Sequence, residues 1–213
     1  MAERLPRHTM VTVAPQAWQA LMTSHPNLAV EPLISGWADA AQPLVMRRPA
    51  ANDPPGAVPL GLPLPPAFGK RRIAICLPPS AIVEAARPPL LQDVARVVPD
   101  DWRPTVTALI TLDPGVRVFG SLAWEHLTGL AYLTTASDLD LLWDLPAPDQ
   151  VDHLLAGIAA IARCAPMRID GEIRARGGDV HWSELTTDAE VLVKNDKGVR
   201  LMARNAYLAL GPQ

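Results

Sequence analysis

The apolar positions along the chain change their spacing several times, and each change marks an expected element. "HTMVTV" near the N-terminus alternates as a strand does, whereas "APQAWQALMTSH" sets Trp18, Leu21 and Met22 on one side of a helix. The strand "RRIAICL" leads into a stretch read as helix that ends before "RPP", and then into a second helical stretch, "LLQDVARVV". "TVTALITL" suits helix or strand. Beyond it come the strand "VRVF", a helix from about Leu122, the strand "SDLDLLWDL" and a long helix, "VDHLLAGIAAIARCA". The strands "MRIDGEI", "VHWSEL" and "EVLVKN" precede a short tail, "VRLMARNAYL". Strands alternating with helices predict an α/β (α+β) fold.

One segment breaks the pattern. Between Pro43 and Pro66 prolines stand at 43, 49, 54, 55, 59, 63, 65 and 66, so no helix runs through it. Its Val and Leu content favours an extended lining along a cleft over a solvated linker. The expected organisation is therefore a smaller N-terminal α/β domain over residues 1–70, with the cleft-lining segment 43–66, and a catalytic domain with a mixed sheet and flanking helices over 71–213.

Composition narrows the classes. A chain of 213 residues with 49% hydrophobic residues and a net charge of −3 reads as an ordinary globular protein without the basic surface that a nucleic-acid partner needs. No signal-peptide pattern and no apolar run of the ~18–20 residues needed for a membrane span is found, so a cytoplasmic protein without a membrane partner is expected. Cys76 and Cys164 lack metal or redox spacing and are expected to be reduced, buried core thiols.

The candidate chemistry lies in the second half. Asp138 and Asp140 stand two apart in an apolar strand, which puts both on one face. Paired carboxylates repel, so a fold gains little from them unless something positive sits between, and a divalent metal is the obvious candidate. Upstream, Gly120 and Ser121 occupy a strand-to-helix junction where a tight turn, unpaired helix N–H groups and a hydroxyl can cradle a phosphate; a simple serine N-cap is the plainer alternative. A third carboxylate is expected from "MRIDGEI", where Asp170 and Glu172 share a face and either completes a phosphoryl-transfer metal site. Arg47, Arg48 and Arg72 bracket the proline-rich segment, and Lys194 follows later; all four are candidate phosphate contacts, with a solvated charged loop an equal alternative for the arginines. The five histidines, 8, 25, 126, 153 and 181, are scattered and read as structural or surface groups. Trp124 and Trp143 read as core, although either could stack on an adenine.

"FGS...SDLDLL" resembles the signature of the nucleotidyltransferase superfamily of DNA polymerase β. The longer text "VFGSLAWEHLTGLAYLTTASDLDLLWDL", with "RIDGEI" and "EVLVKNDKGVRL" after it and "PLVMRR" and "VPLGLPLPPAFGKRRIAI" before it, resembles the malonate decarboxylase holo-acyl-carrier-protein synthases, also called phosphoribosyl-dephospho-CoA transferases. This resemblance covers nearly the whole chain. It implies an enzyme that transfers the phosphoribosyl-dephospho-CoA group from 2′-(5″-triphosphoribosyl)-3′-dephospho-CoA to a serine of the apo acyl carrier protein of malonate decarboxylase, releasing pyrophosphate with Mg2+ or Mn2+. Residue by residue, it implies that Gly120 and Ser121 bind phosphate and that Asp138 and Asp140 bind metal, with Asp170 the less secure third carboxylate. Sixteen residues separate Ser121 from Asp138, more than in many members of the superfamily, which predicts a longer helix-to-strand connection that leaves the two strands adjacent. The alternatives are a nucleotidyltransferase for another small-molecule or protein hydroxyl, or a non-catalytic nucleotide-binding module.

Overall fold

The computed structural model describes residues 5–212, which fall into two compact units divided between Arg87 and Pro88. In the first unit, β1 (Met10–Val13) is followed by α1 (Pro15–Ser24), α2 (Pro26–Ala29) and α3 (Pro32–Ser35), and then by β2 (Leu44–Met46), β3 (Val58–Pro63), β4 (Arg72–Leu77) and β5 (Ile82–Ala86). The five strands form an antiparallel sheet in the order β4-β3-β2-β1-β5. Trp18 and Met22, one helical turn apart, bury the inner face of α1.

The proline-rich segment is part of this sheet. Leu60, Leu62 and Leu64 are fully buried while Gly61 and Pro63 between them are not, the period of two that a strand with one core face requires. The β2–β3 ladder is confined to Val45↔Gly61 and Met46↔Leu60, so Pro59 and Pro63, which lack an N–H, fall beyond its register. The cleft-lining expectation for 43–66 is corrected accordingly: the segment supplies β2 and β3, neither of them at a sheet edge. The expected boundary at residue 70 also moves, because β4 pairs along β3 and β5 pairs along β1. The stretch before "RPP" is not a helix. Pro79 opens a single 3-10 turn, and Ile82 and Val83, β-branched residues that suit a pleated surface, begin β5. Cys76 is half-buried and Cys164 exposed, so neither is the buried core thiol expected.

The second unit contains α4 (Arg103–Leu112), β6 (Arg117–Val118), α5 (Gly120–Thr128), β7 (Leu139–Asp144), α6 (Val151–Ala162), β8 (Ile169–Ala175), β9 (Gly178–His181), α7 (Glu184–Thr187), β10 (Glu190–Asn195), β11 (Gly198–Ala203) and α8 (Arg204–Leu208). Its six strands run in the order β11-β10-β9-β8-β7-β6, with β7 and β8 parallel and the other paired strands antiparallel. A parallel pair needs a crossover, and α6 provides it. Val151, Leu154, Leu155 and Ile158 form its buried stripe, at about 1.5–3 kcal/mol for each large side chain removed from water. The short tail contains a full strand, β11, paired with β10 from Glu190↔Ala203 to Asn195↔Gly198. Both sheets have helices packed with them, so the fold is α+β as expected. Among the described residues, no helix is long and apolar enough to cross a membrane.

Candidate active site

The site is built on two adjacent parallel strands. β7 and β8 pair with Asp140 directly opposite Asp170 and Leu142 opposite Glu172, so the carboxylates of Asp140, Asp170 and Glu172 share one face of the sheet. The other face is apolar: Leu139, Leu141, Trp143, Ile169 and Ile173 are each 5% exposed or less. Gly171 makes that face close-packed, since a Cβ there would stand 3.0 Å from the Leu141 carbonyl and closer still to the Trp143 ring. Trp143 and Trp124 are core, the first of the two readings their sequence allowed.

The Gly-Ser junction meets these carboxylates. β6 lies beside β7, with Arg117↔Leu142 and Val118↔Leu141, so the long connection between α5 and β7 does leave the two strands adjacent. Glu125 fastens that connection by accepting hydrogen bonds from the backbone N–H groups of Tyr132 and Leu133, at 3.0 and 2.9 Å. The N–H of Phe119 donates to the carbonyl of Asp140 at 3.0 Å, drawing the start of α5 against β7. Gly120 then takes φ +63°, and a Cβ on it would lie 2.5 Å from Cγ and 2.9 Å from Cβ of Asp140. Only glycine lets the helix start and the carboxylate come this close. α5 begins at Gly120, two residues earlier than the apolar spacing suggested, which puts Ser121 in its first turn. No side chain caps this helix, and among the described residues no hydrogen bond engages the Ser121 hydroxyl. Its N-terminal N–H groups and a hydroxyl are therefore available to an anion beside Asp140.

Asp138 immediately precedes β7, one residue outside the strand that was expected to hold it. A positive group does stand among the carboxylates, and it belongs to the chain. Nη2 of Arg168 donates to Oδ2 of Asp138 at 2.5 Å and to Oδ2 of Asp170 at 2.9 Å. These two carboxylates hold the Arg168 guanidinium above even its usual high pKa, Asp138 most strongly. The other oxygen of Asp170, Oδ1, lies 3.1 Å from Nε2 of His181. Ser183 anchors the other ring nitrogen, Nδ1, through its hydroxyl at 2.8 Å and its N–H at 3.3 Å.

Further along β8 the same face closes. Glu172, Arg174 and Asp179 are buried, with Arg174 Nε donating to Asp179 at 3.0 Å. Nζ of Lys194 lies 3.3 Å from Glu172. The two candidates for a third carboxylate differ in setting: the Glu172 side chain is 8% exposed and paired with Lys194, while Asp170 is 31% exposed and registered with Asp140. Lys194, expected at a phosphate, serves Glu172 instead.

Of the arginines expected at phosphates, Arg47 is committed to the fold of the first unit. It pairs with Asp53 through two bonds of 2.8 and 2.6 Å, and it also donates to the carbonyls of Leu60 and Arg48 and to Sγ of Cys76. Arg48, just after β2, and Arg72, at the start of β4, are both exposed. Sequence reasoning missed Arg168 and His181. The signal for Arg168 was present, since Arg168, Asp170, Glu172 and Arg174 alternate along one strand face. His181 comes from a neighbouring strand, β9, and no sequence spacing announces that pairing.

An all-oxygen donor set is of the kind that suits Mg2+ or Mn2+, and Asp140 and Asp170 stand opposite one another in the register of β7 and β8.

Comparison with known proteins identifies the family. The family model described as "Phosphoribosyl-dephospho-CoA transferase MdcG C-terminal domain" matches residues 90–205, and that of the corresponding N-terminal domain matches residues 6–88. The chain is 39% identical over 209 residues to the phosphoribosyl-dephospho-CoA transferase of Bradyrhizobium diazoefficiens, covering 95% of this chain and 92% of that one. It is 36% identical over 208 residues to that of Xanthomonas campestris, covering 94% and 95%, and 31% identical over 199 residues to that of Pseudomonas syringae, covering 89% of each. No solved structure matches. With both domain models and full-length relatives in agreement, the chain belongs to the phosphoribosyl-dephospho-CoA transferase family of enzymes.

Proposed function

We propose that the enzyme transfers phosphoribosyl-dephospho-CoA from its 5″-triphosphate donor to a serine of the apo acyl carrier protein of malonate decarboxylase, using Mg2+ or Mn2+ held by Asp138, Asp140 and Asp170. The observation that carries this reading is the register of Asp140 with Asp170, together with the glycine that lets the start of α5 approach Asp140. A bound divalent ion would polarise the phosphoryl oxygens and offset charge on the leaving group.

The protein's own groups do the positioning. Unpaired N–H groups of α5 and the Ser121 hydroxyl receive phosphate oxygens of the donor. His181 fixes the orientation of Asp170 through Oδ1. Asp170 is placed to accept the proton of the acceptor serine as its oxygen bonds to the phosphorus attached to the ribose and the bond to pyrophosphate breaks.

The test is an incubation of the enzyme with apo carrier protein, the triphosphoribosyl donor and Mg2+, followed by intact-mass spectrometry. The expected result is a mass gain of one prosthetic group on the carrier serine, with stoichiometric pyrophosphate and no product in EDTA. Transfer in EDTA at the full rate would refute the metal assignment, and labelling of a different hydroxyl acceptor would refute the carrier assignment.

A further inference from the structure

Arg168 is the most exposed member of the site, 62% against 35% for Asp138 and 31% for Asp170, yet a single nitrogen, Nη2, touches Oδ2 of both acids. Asp138 and Asp170 are the only hydrogen-bond partners of its guanidinium among the described residues. The two oxygens it joins are those facing away from the clamp of His181, which holds Asp170 by Oδ1. Asp170 is thus gripped from two sides by groups of different character. His181 is a compact ring anchored on β9 by Ser183, and Arg168 is a long, solvated cation on a flexible stem.

We propose that Arg168 is an exchangeable counter-ion to Asp138 and Asp170, which would give them up to a divalent cation and turn its guanidinium to the donor's phosphates. This rests on the metal-dependent reading given above. Two carboxylates facing each other without a cation repel, and a cation on the chain itself keeps them near the spacing that a divalent ion requires. Asp138 and Asp170 would hold a divalent ion less well while paired with a guanidinium, and Arg168, once unpaired, would offer a forked donor suited to phosphate. Partial exposure keeps the ion pair weak enough to exchange.

The test uses the full chain with Mn2+ alone, followed by electron paramagnetic resonance, and inorganic pyrophosphate as the second probe. Arg168→Gln removes the competing charge, so Mn2+ is expected to bind about three- to tenfold more tightly than to the wild type, while pyrophosphate binding to the Mn2+-loaded protein weakens about tenfold or more. Arg168→Lys is expected to return Mn2+ affinity towards the wild-type value, since the charge is restored, but to recover pyrophosphate binding only in part, since the fork is lost. Equal or weaker Mn2+ binding by the Gln variant would overturn the counter-ion role. Unchanged pyrophosphate binding would overturn the handover. Absence of Mn2+ binding by the wild type overturns the metal reading itself, and the exchange with it. Binding by wild type and variant with equal affinity overturns the exchange alone.

Discussion

Two arginines, each tied to aspartate, show how differently the two units use the same chemistry. In the first unit Arg47 is surrounded: Asp53 takes two bonds, carbonyls of Leu60 and Arg48 and Sγ of Cys76 take others, and the Arg47 and Asp53 side chains are 21% and 13% exposed. In the second unit Arg168 is 62% exposed, and one of its nitrogens serves Asp138 and Asp170 together. A saturated guanidinium has no donor left for a ligand and fixes a loop, whereas one held at a single nitrogen leaves most of its fork free. The lesson concerns charge in general. Three of the four cations proposed from sequence as phosphate contacts were selected for being near a suggestive segment, yet it is the neighbours saturating Arg47 that decide its role.

The contrast can be broken most severely at the carboxylates. Asp138→Asn or Asp140→Asn is expected to reduce transfer by about 10³-fold or more by removing charged metal ligands, with the melting temperature unchanged or raised in the metal-free protein because repulsion falls; rate and calorimetry check both halves. Gly120→Ala comes next. It puts a methyl group against the Asp140 carboxylate at a left-handed backbone position, so about 10²-fold loss of transfer and about 1–3 kcal/mol of stability are expected, read by kinetics and urea unfolding. His181→Ala should lower kcat about tenfold with little change in donor KM, because it loosens Asp170 without touching the donor; a change confined to KM would contradict that role.

The smallest effect on transfer sharpens the comparison from the other side. Arg47→Ala is expected to leave the rate constants of the folded enzyme unchanged while lowering the melting temperature by several degrees, since it strands Asp53. The same pair sets an acid limit. Hydrogen bonds from Arg47 and from the Ala50 backbone hold the Asp53 carboxyl well below the ordinary carboxylate range. Its folded-state pKa is depressed, so its contribution is complete above the unfolded value near 3.8 and is lost as pH falls from there through the folded value. Thermal unfolding of the wild type from pH 5 downward should show that loss, and the Arg47→Ala variant should show a flatter acid limb.

Much of the second unit was legible because its elements obey one period each. The alternating "SDLDLL" and the i, i+3, i+4, i+7 stripe of α6 are local signals, and the Gly-Ser junction and acidic pair carried their chemistry in adjacent letters. The first unit was less legible. Prolines at 59 and 63 masked the alternation of Leu60, Leu62 and Leu64, and strand pairing across the chain, not local composition, assigns β4 and β5 to the N-terminal sheet. The site was read with the same bias. Its aspartates were found in sequence, whereas His181 reaches Asp170 through antiparallel pairing of β8 with β9, a contact fixed by folding.

The central claim, that Asp138, Asp140 and Asp170 form the metal centre for transfer, is tested most directly by counting bound Mn2+ on wild type and Asp140→Asn and measuring carrier-protein labelling on the same samples. The account predicts Mn2+ bound and carrier labelled for the wild type, with both lost together in Asp140→Asn while its unfolding profile stays intact. An Asp140→Asn protein that binds Mn2+ as the wild type does and labels the carrier at the wild-type rate would contradict it.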